Sequence, residues 1–187
     1  DAFAVGLPCG GAVRILLQPM EPEIVAALAE AVRTESTLGV VTHIAGAHMG
    51  DHSVVSAEAT DDDVAALIAS GTSGTVGEGD DERFVLSVAA RPRMYIFGAV
   101  DFAAALATVG RFLGYHVTVC DARAIFVTPE RFPDADELVV SWPHKVIADA
   151  HVDERSAICV LTHDAKFDVP ALHAALATSA GYIGAMG

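Results

Sequence analysis

Apolar residues in the second half of the chain fall into short continuous runs, which alternate with segments of helical spacing. Such runs predict strands buried on both faces, as in a parallel sheet that helices cover on each side. The second half is therefore predicted to be Rossmann-like, with its ligand crevice at the carboxyl ends of the strands. The predicted strands are MYIFG, HVTVCD, the run introduced by FPDADELVV, AICVLTHD and YIGAMG, and the predicted helices are 101–113, 143–151 and 169–180.

The first half shows a mixed pattern, which predicts an α+β segment with antiparallel strand pairing. Its predicted strands are Ala12–Pro19, Leu38–Gly46 and Arg83–Ala90. One helix starts at Pro22 with an apolar stripe of Ile24, Leu28, Ala31 and Val32, and a second follows an N-cap at Thr60 or Asp61. A seam near Arg91-Pro92-Arg93 divides the chain into predicted domains 1–90 and 91–187.

The composition and net charge of the chain limit the kinds of molecule that its surface can bind. The chain has 187 residues, 52% of them apolar, and a formal net charge of −14 from 11 basic and 25 acidic residues. Such a surface repels phosphate backbones and anionic lipid, so neither nucleic-acid binding nor membrane binding is expected. Three cysteines without short spacing predict no disulfide framework, and a cytoplasmic setting follows. A start at Asp1 and an end at GYIGAMG suggest an internal piece, with the second domain incomplete at its C-terminal end.

The turn after the first strand of the second half reads GAVDFA, from Gly98 to Ala103. Gly98 and Ala99 supply a sharp bend that can bring backbone N–H groups to a phosphate, but Val100 stands where a dinucleotide site has its second glycine. Asp121 lies 121 − 98 = 23 positions further on, close to the spacing expected of a ribose-binding acid. Arg123 is placed to reach a ribose phosphate. NAD(P) binding therefore remains one of the possible functions, but the sequence favours it less than the other functions considered below.

The segment LTHDAKFDVP follows the fourth predicted strand and is unusually rich in polar side chains. Thr162, His163, Asp164 and Lys166 are candidate ligand-binding residues, as donors to phosphate or pterin oxygens. Asp168 is the predicted N-cap of a helix that carries Pro170 in its first turn.

The segment GLPCGG supplies a further candidate. Cys9 and Gly10 lie in a turn where a thiol can be exposed and the backbone can come close to a ligand, although an ordinary turn cysteine explains the pattern equally well. The spacing of His43, His48 and His52 matches no standard metal-ligand set, so no metal site is predicted. No catalytic residue is predicted either, since no His/Lys or Tyr/Lys pair suited to a dehydrogenase follows in the chain.

The phrases GLPCGG, RPRMYIFGA, VTVCDAR, RFPDADELVV, LTHDAKFDVPAL and GYIGAMG occur in an order that resembles the XdhC/CoxI family. These are accessory proteins of molybdenum hydroxylases such as xanthine and carbon monoxide dehydrogenases. The resemblance implies the later part of an XdhC/CoxI-type domain followed by a Rossmann domain. The chain departs from many relatives, which have GAGHVG where it has GAVDFA.

The resemblance also implies a function, which is to bind the molybdenum cofactor, protect it and deliver it to an apo-hydroxylase, with sulfuration on the way. It favours a cofactor-insertion chaperone over an enzyme. The expected partners are the hydroxylase, a sulfurtransferase and further copies of the chain. Cys9 would contact the cofactor or its sulfur, and Gly98, Asp121 and the 162–168 loop would line the crevice. The alternatives are an NAD(P)-dependent oxidoreductase and a Rossmann interaction module without a ligand.

Overall fold

The computed structural model describes residues 15–56 and 58–186. The chain divides into two compact units, with the boundary between Ala90 and Arg91. Cys9 and Gly10 lie outside the described residues. Among the described residues, none of the helices combines the length and the apolar character that crossing a membrane requires.

The first unit contains a four-stranded antiparallel sheet and two helices. The strand order in the sheet is β2-β1-β4-β3, and all three pairings are antiparallel, which confirms the prediction. Its elements are α1 (Pro22–Thr34), β1 (Leu38–His43), β2 (His52–Val55), α2 (Asp62–Ser70), β3 (Gly74–Val76) and β4 (Arg83–Val88).

Both helices of the first unit begin where the sequence places them. Pro22 occupies the first turn of α1, and the Asp61 carboxylate accepts hydrogen bonds from the N–H groups of Asp63 and Val64 at the start of α2. The buried side of α2 carries Val64 and Ile68, which pack with strand valines into one apolar cluster. Of the predicted stripe on α1, Ala31 is buried whereas Val32 is exposed.

Three predictions for the first unit need correction. The described part of the predicted strand Ala12–Pro19, residues 15–19, contains no strand. Conversely, β2 and β3 are not among the strands that the sequence pattern predicts. Both strands are short and polar or glycine-containing, so they have no apolar run of their own, and pairing with β1 and β4 holds them.

The second unit is a five-stranded parallel sheet flanked by helices, as predicted. The strand order is β7-β6-β5-β8-β9, so the order reverses between β5 and β8. Its elements are β5 (Arg93–Phe97), α3 (Asp101–Phe112), β6 (His116–Asp121), β7 (Glu137–Val140), α4 (Pro143–Asp149), β8 (Ala157–Val160), α5 (Ala165–Ala175) and β9 (Tyr182–Ala185).

Each face of the parallel sheet has its own apolar core, because alternate strand residues point to opposite faces. On one face, Ile96 and Val119 pack against Ala103 and Ala107 of α3. On the other face, the strand residues Phe97, Ile158 and Val160 pack with residues of α4 and α5. The small alanines let α3 lie close to the strands. Because α3 directly follows the carboxyl end of β5, its N-terminus stands at the carboxyl edge of the sheet.

The last helix starts earlier than predicted. The helix α5 begins at Ala165 with Asp164 as its N-cap, so Asp168 is not the cap and Pro170 lies inside the helix rather than in its first turn. The Asp164 carboxylate accepts a hydrogen bond from the Lys166 N–H at 3.1 Å. The prediction placed the start by its proline, but the capping carboxylate decides where the helix begins.

Candidate ligand crevice at the carboxyl edge of the parallel sheet

The carboxyl ends of β5, β6, β7 and β8 bring four loops to one edge of the second unit. In open α/β sheets a ligand binds at this edge, where the strand order reverses. Most sequence-predicted candidates lie here, namely Gly98, Ala99, Asp121, Thr162, His163, Asp164 and Lys166.

The first turn is built around a glycine that no other residue can replace without strain. Gly98 has φ of 110°, and a Cβ there would lie 2.8 Å from the Thr162 backbone nitrogen. Its N–H donates to the Cys120 carbonyl at 2.8 Å, and the Leu161 N–H donates to the Phe97 carbonyl at 2.7 Å. The glycine thus allows the loop after β5 and the loop after β8 to meet at the point where the strand order reverses.

The next residues of the turn start α3. Val100 is the N-cap, has no side-chain capping bond and packs against the core under α3. The carboxylate of Asp101 is 98% exposed and lies 3.3 Å from the Arg131 guanidinium. Arg131 therefore offsets the charge of this carboxylate, which would otherwise repel a phosphate at the start of α3.

Asp121 lies at the end of β6 and is 2% exposed. Its Oδ2 accepts hydrogen bonds from the Ala99 N–H at 2.9 Å and from Arg123 Nη2 at 2.8 Å. Its Oδ1 accepts from the Arg123 backbone N–H and from Arg123 Nε, both at 2.9 Å. Burial alone would raise the pKa of Asp121, but the Arg123 and Ala99 donors outweigh it and lower that pKa below its ordinary value.

The loop after β8 contributes the remaining polar groups. Thr162 is 9% exposed and donates its hydroxyl hydrogen to the Asp168 carboxylate, so it has a structural contact that sequence reasoning did not expect. His163 is exposed and has a left-handed backbone, with φ of 57°. Lys166 Nζ lies 3.1 Å from the Asp164 carboxylate, and this bond lowers the pKa of Asp164.

Aromatic side chains stand among these polar groups, and sequence reasoning did not select them. The Arg123 guanidinium carbon lies 4.6 Å from the centroid of the Phe126 ring. The Phe102 and His163 rings meet edge to face with centroids 6.5 Å apart, and Trp142 lies 4.8 Å from Phe167. The signal that could have found them is their position, because each follows a strand or opens the next helix.

The histidines of the first unit contact other protein groups, and the His43 and His48 rings lie 5.9 Å apart. His52 lies 2.5 Å from the Glu21 carboxylate, and its other ring nitrogen lies 2.9 Å from the Gly50 carbonyl. These two acceptors, the carbonyl first, raise the pKa of His52. Within residues 15–56 and 58–186, no three His, Cys, Asp or Glu side chains are placed to hold a metal ion.

The first unit also contains an apolar cavity of about 790 Å³ on its antiparallel sheet. Val40, Thr42, Phe84 and Leu86 line it from the strands, and Ile15 and Leu16 line it from the segment before α1. Of the sequence-predicted candidates that the structure describes, none lines this cavity.

The comparison with protein families matches residues 94–187 to the XdhC Rossmann domain. This match covers half of the 187 residues. The chain belongs to the XdhC family. Its parallel sheet, with Gly98 and Asp121 at the carboxyl edge, is thus an XdhC Rossmann domain.

One relative of this XdhC chain and one solved structure of similar fold carry names that refer to xanthine dehydrogenase. The chain is 28% identical over 104 residues to a probable xanthine dehydrogenase subunit of Bacillus subtilis (strain 168), and the match covers 56% of this chain and 32% of that protein. A crystal structure of a xanthine dehydrogenase from Bacillus halodurans matches with a TM-score of 0.65 and 19% identity, covering 88% of this chain and 52% of that one. The chain thus spans about a third of the first protein and about half of the second, and the second match supports the fold alone.

Proposed function

We propose that this protein is an accessory factor of a molybdenum hydroxylase, which binds the molybdenum cofactor and delivers it to the apo-enzyme. The observation that carries the proposal is the polar crevice of an XdhC Rossmann domain, in which the acid expected to bind ribose contacts protein groups instead. The name of the Bacillus subtilis relative supports a link to xanthine dehydrogenase.

The donor set at the crevice suits the chemistry of this cofactor, which is a pterin with a phosphate ester and a dithiolene that holds molybdenum. Arg123, His163 and Lys166 are nitrogen donors for phosphate and pterin oxygens. Trp142 is 42% exposed and can contact a planar heterocycle, whereas the Phe126 ring already lies against the Arg123 guanidinium. The cofactor itself supplies redox chemistry inside the hydroxylase, so the accessory protein needs only to hold it, shield it and release it.

Delivery requires a surface that meets the hydroxylase near the crevice. The helix α3 and its C-cap Leu113 present an apolar stripe along one side, in which Phe102, Leu106, Val109 and Leu113 are spaced by four, three and four residues. Phe102, Val109 and Leu113 are 58%, 51% and 61% exposed. Phe102 also contacts His163 at the crevice, so an apo-hydroxylase docked along this stripe would lie beside the bound cofactor.

The cofactor-binding step is tested with the full-length protein, purified from cells that make molybdenum cofactor. We expect molybdenum and the fluorescent oxidation product of the pterin to co-purify with it. A folded protein that carries neither, and that takes up neither from a donor, would refute the proposal. Saturable binding of NAD⁺ or NADP⁺ in its place would favour the oxidoreductase alternative.

The delivery step is tested by Val109→Glu, which places a charge in the α3 stripe without touching the crevice. We expect this variant to retain the cofactor and to transfer it to the apo-hydroxylase more slowly. Leu176→Glu is the matched control, because Leu176 is 74% exposed at the end of α5. Equal transfer by the wild type and by Val109→Glu would contradict the assignment of the docking surface. A sulfurtransferase partner and self-association remain expectations from the family resemblance.

A further inference from the structure

Asp121 has no lone pair left for a ribose. A carboxylate offers about four lone-pair sites, and Ala99 and Arg123 fill all four with N–H donors at 2.8 to 2.9 Å. At 2% exposure the group also has almost no surface that a ligand could touch. A dinucleotide site needs this carboxylate to accept from the ribose hydroxyls, so the arrangement disfavours NAD(H) and NADP(H).

The same contacts fix the guanidinium of Arg123. Nε and Nη2 bind the two carboxylate oxygens side by side, and the Phe126 ring lies against the planar group. A guanidinium has five N–H donors, so this pairing leaves both hydrogens of Nη1 and one of Nη2 on the side away from Asp121. The Arg123 side chain is 45% exposed at the carboxyl edge, which opens that side to a ligand.

We propose that Arg123 binds the phosphate of the pterin cofactor and that Asp121 is a positioning residue, which holds Arg123 and the first turn together and excludes a dinucleotide. The inference rests on the proposed function and names the group through which the crevice recognises its ligand. Two parallel N–H donors on a planar guanidinium match the spacing of phosphate oxygens.

The phosphate must be held by directed hydrogen bonds, because the charges around Arg123 give it little net electrostatic attraction. Asp164 is close enough to act on Arg123, but Lys166 Nζ pairs with it at 3.1 Å and offsets its charge. Asp101 is likewise paired with Arg131. With a net charge of −14 on the chain, a phosphate gains little from long-range attraction and depends on donors aimed at it.

The experiment measures the dissociation constant of purified molybdenum cofactor from the full-length protein, with and without excess inorganic phosphate. We expect Arg123→Gln to weaken binding about 10- to 100-fold, the usual worth of charge-assisted hydrogen bonds. The dissociation constant of Arg123→Lys should lie between those of the wild type and Arg123→Gln, because lysine keeps the charge but loses the paired hydrogen bonds. Arg111→Gln is the matched control, since Arg111 lies in the last turn of α3.

Phosphate competition separates a ligand contact from a structural role. Excess phosphate should weaken cofactor binding to the wild type and have little further effect on Arg123→Gln. Asp121→Asn should reproduce the loss seen in Arg123→Gln, and if this variant does not fold, the Arg123 variants alone decide. The wild type should not bind NAD⁺.

Three results overturn the inference or one part of it, and they are distinguishable. Saturable binding of NAD⁺ by the wild type refutes the role of Asp121 in excluding a dinucleotide. Cofactor binding that is equally tight in the wild type and in Arg123→Gln refutes the role of Arg123 while the proposed function stands. A wild type that binds no cofactor refutes the proposed function, and the inference fails with it.

Discussion

Replacing Gly98 by alanine tests the close contact between the turn after β5 and the loop after β8. An added methyl group at position 98 would stand 2.8 Å from the Thr162 nitrogen and 2.9 Å from the Leu161 carbonyl carbon. Both are backbone atoms of the loop after β8, so neither can turn away as a side chain would. The residue would also have to keep a φ of 110°, which is unfavourable for any side chain.

Gly114 provides a matched control in the same unit. It has φ of 86° at the C-terminal end of α3, and a Cβ there would meet nothing within 4 Å. Gly114→Ala therefore reports backbone strain alone, about 1 to 2 kcal/mol. Gly98→Ala adds an overpacking cost of about 1 to 3 kcal/mol, so the two variants should differ by about 2 kcal/mol.

Urea unfolding followed by tryptophan fluorescence measures this difference. Trp142 is the only tryptophan of the chain and lies in the second unit, so its signal reports on the unit that contains both glycines. A difference of about 2 kcal/mol should separate the two urea midpoints by about 1 M. If Gly98→Ala is no less stable than Gly114→Ala, then Gly98 does not pack closely against the loop after β8.

Two further predictions concern buried groups of the second unit. Asp121→Asn should destabilise the unit by about 1 to 3 kcal/mol at neutral pH, since it weakens charge-assisted hydrogen bonds from Arg123, whose own charge is half exposed to solvent. The folded-state pKa of Asp121 is lowered, so its contribution to stability is present above the unfolded pKa of about 4 and is lost as pH falls through the folded value. The stability gap between wild type and variant should therefore shrink in acid, and a gap that widens would contradict the ion pair. Burial raises the pKa of Cys120 to about 12 and also raises the pKa of Cys159. Neither thiol should therefore react with a thiol reagent at pH 8 before the protein unfolds. Rapid labelling of either cysteine in the native protein would show that it is not buried.

Much of the second unit could be predicted because its sequence signals are local and agree with one another. Continuous apolar runs such as HVTVCD require cover on both faces, and the helical segments between them supply it. The start of α5 was predicted wrongly because Pro170 favoured Asp168 as the cap, while Asp164 is an equally suitable cap by sequence. The contact of Asp168 with Thr162 selects Asp164, and that contact exists only in the folded loop.

The candidate crevice was predicted in position but not in detail. Gly98, Asp121 and the 162–166 loop follow strands whose carboxyl ends must share one edge, so sequence order placed them together. The partners of Asp121 could not be deduced in the same way. Whether its carboxylate faces a ligand or turns inward to Ala99 and Arg123 depends on the path of the backbone after β6.

The sequence by itself determined the parallel sheet and which candidate residues share its carboxyl edge, because these depend on apolar periodicity and on chain connectivity. Only the tertiary structure decided that β2 and β3 exist, since they depend on neighbouring strands rather than on their own side chains. It also decided the role of Asp121. A carboxylate buried at 2% must find donors inside the protein, and the folded turn supplies them from Ala99 and Arg123.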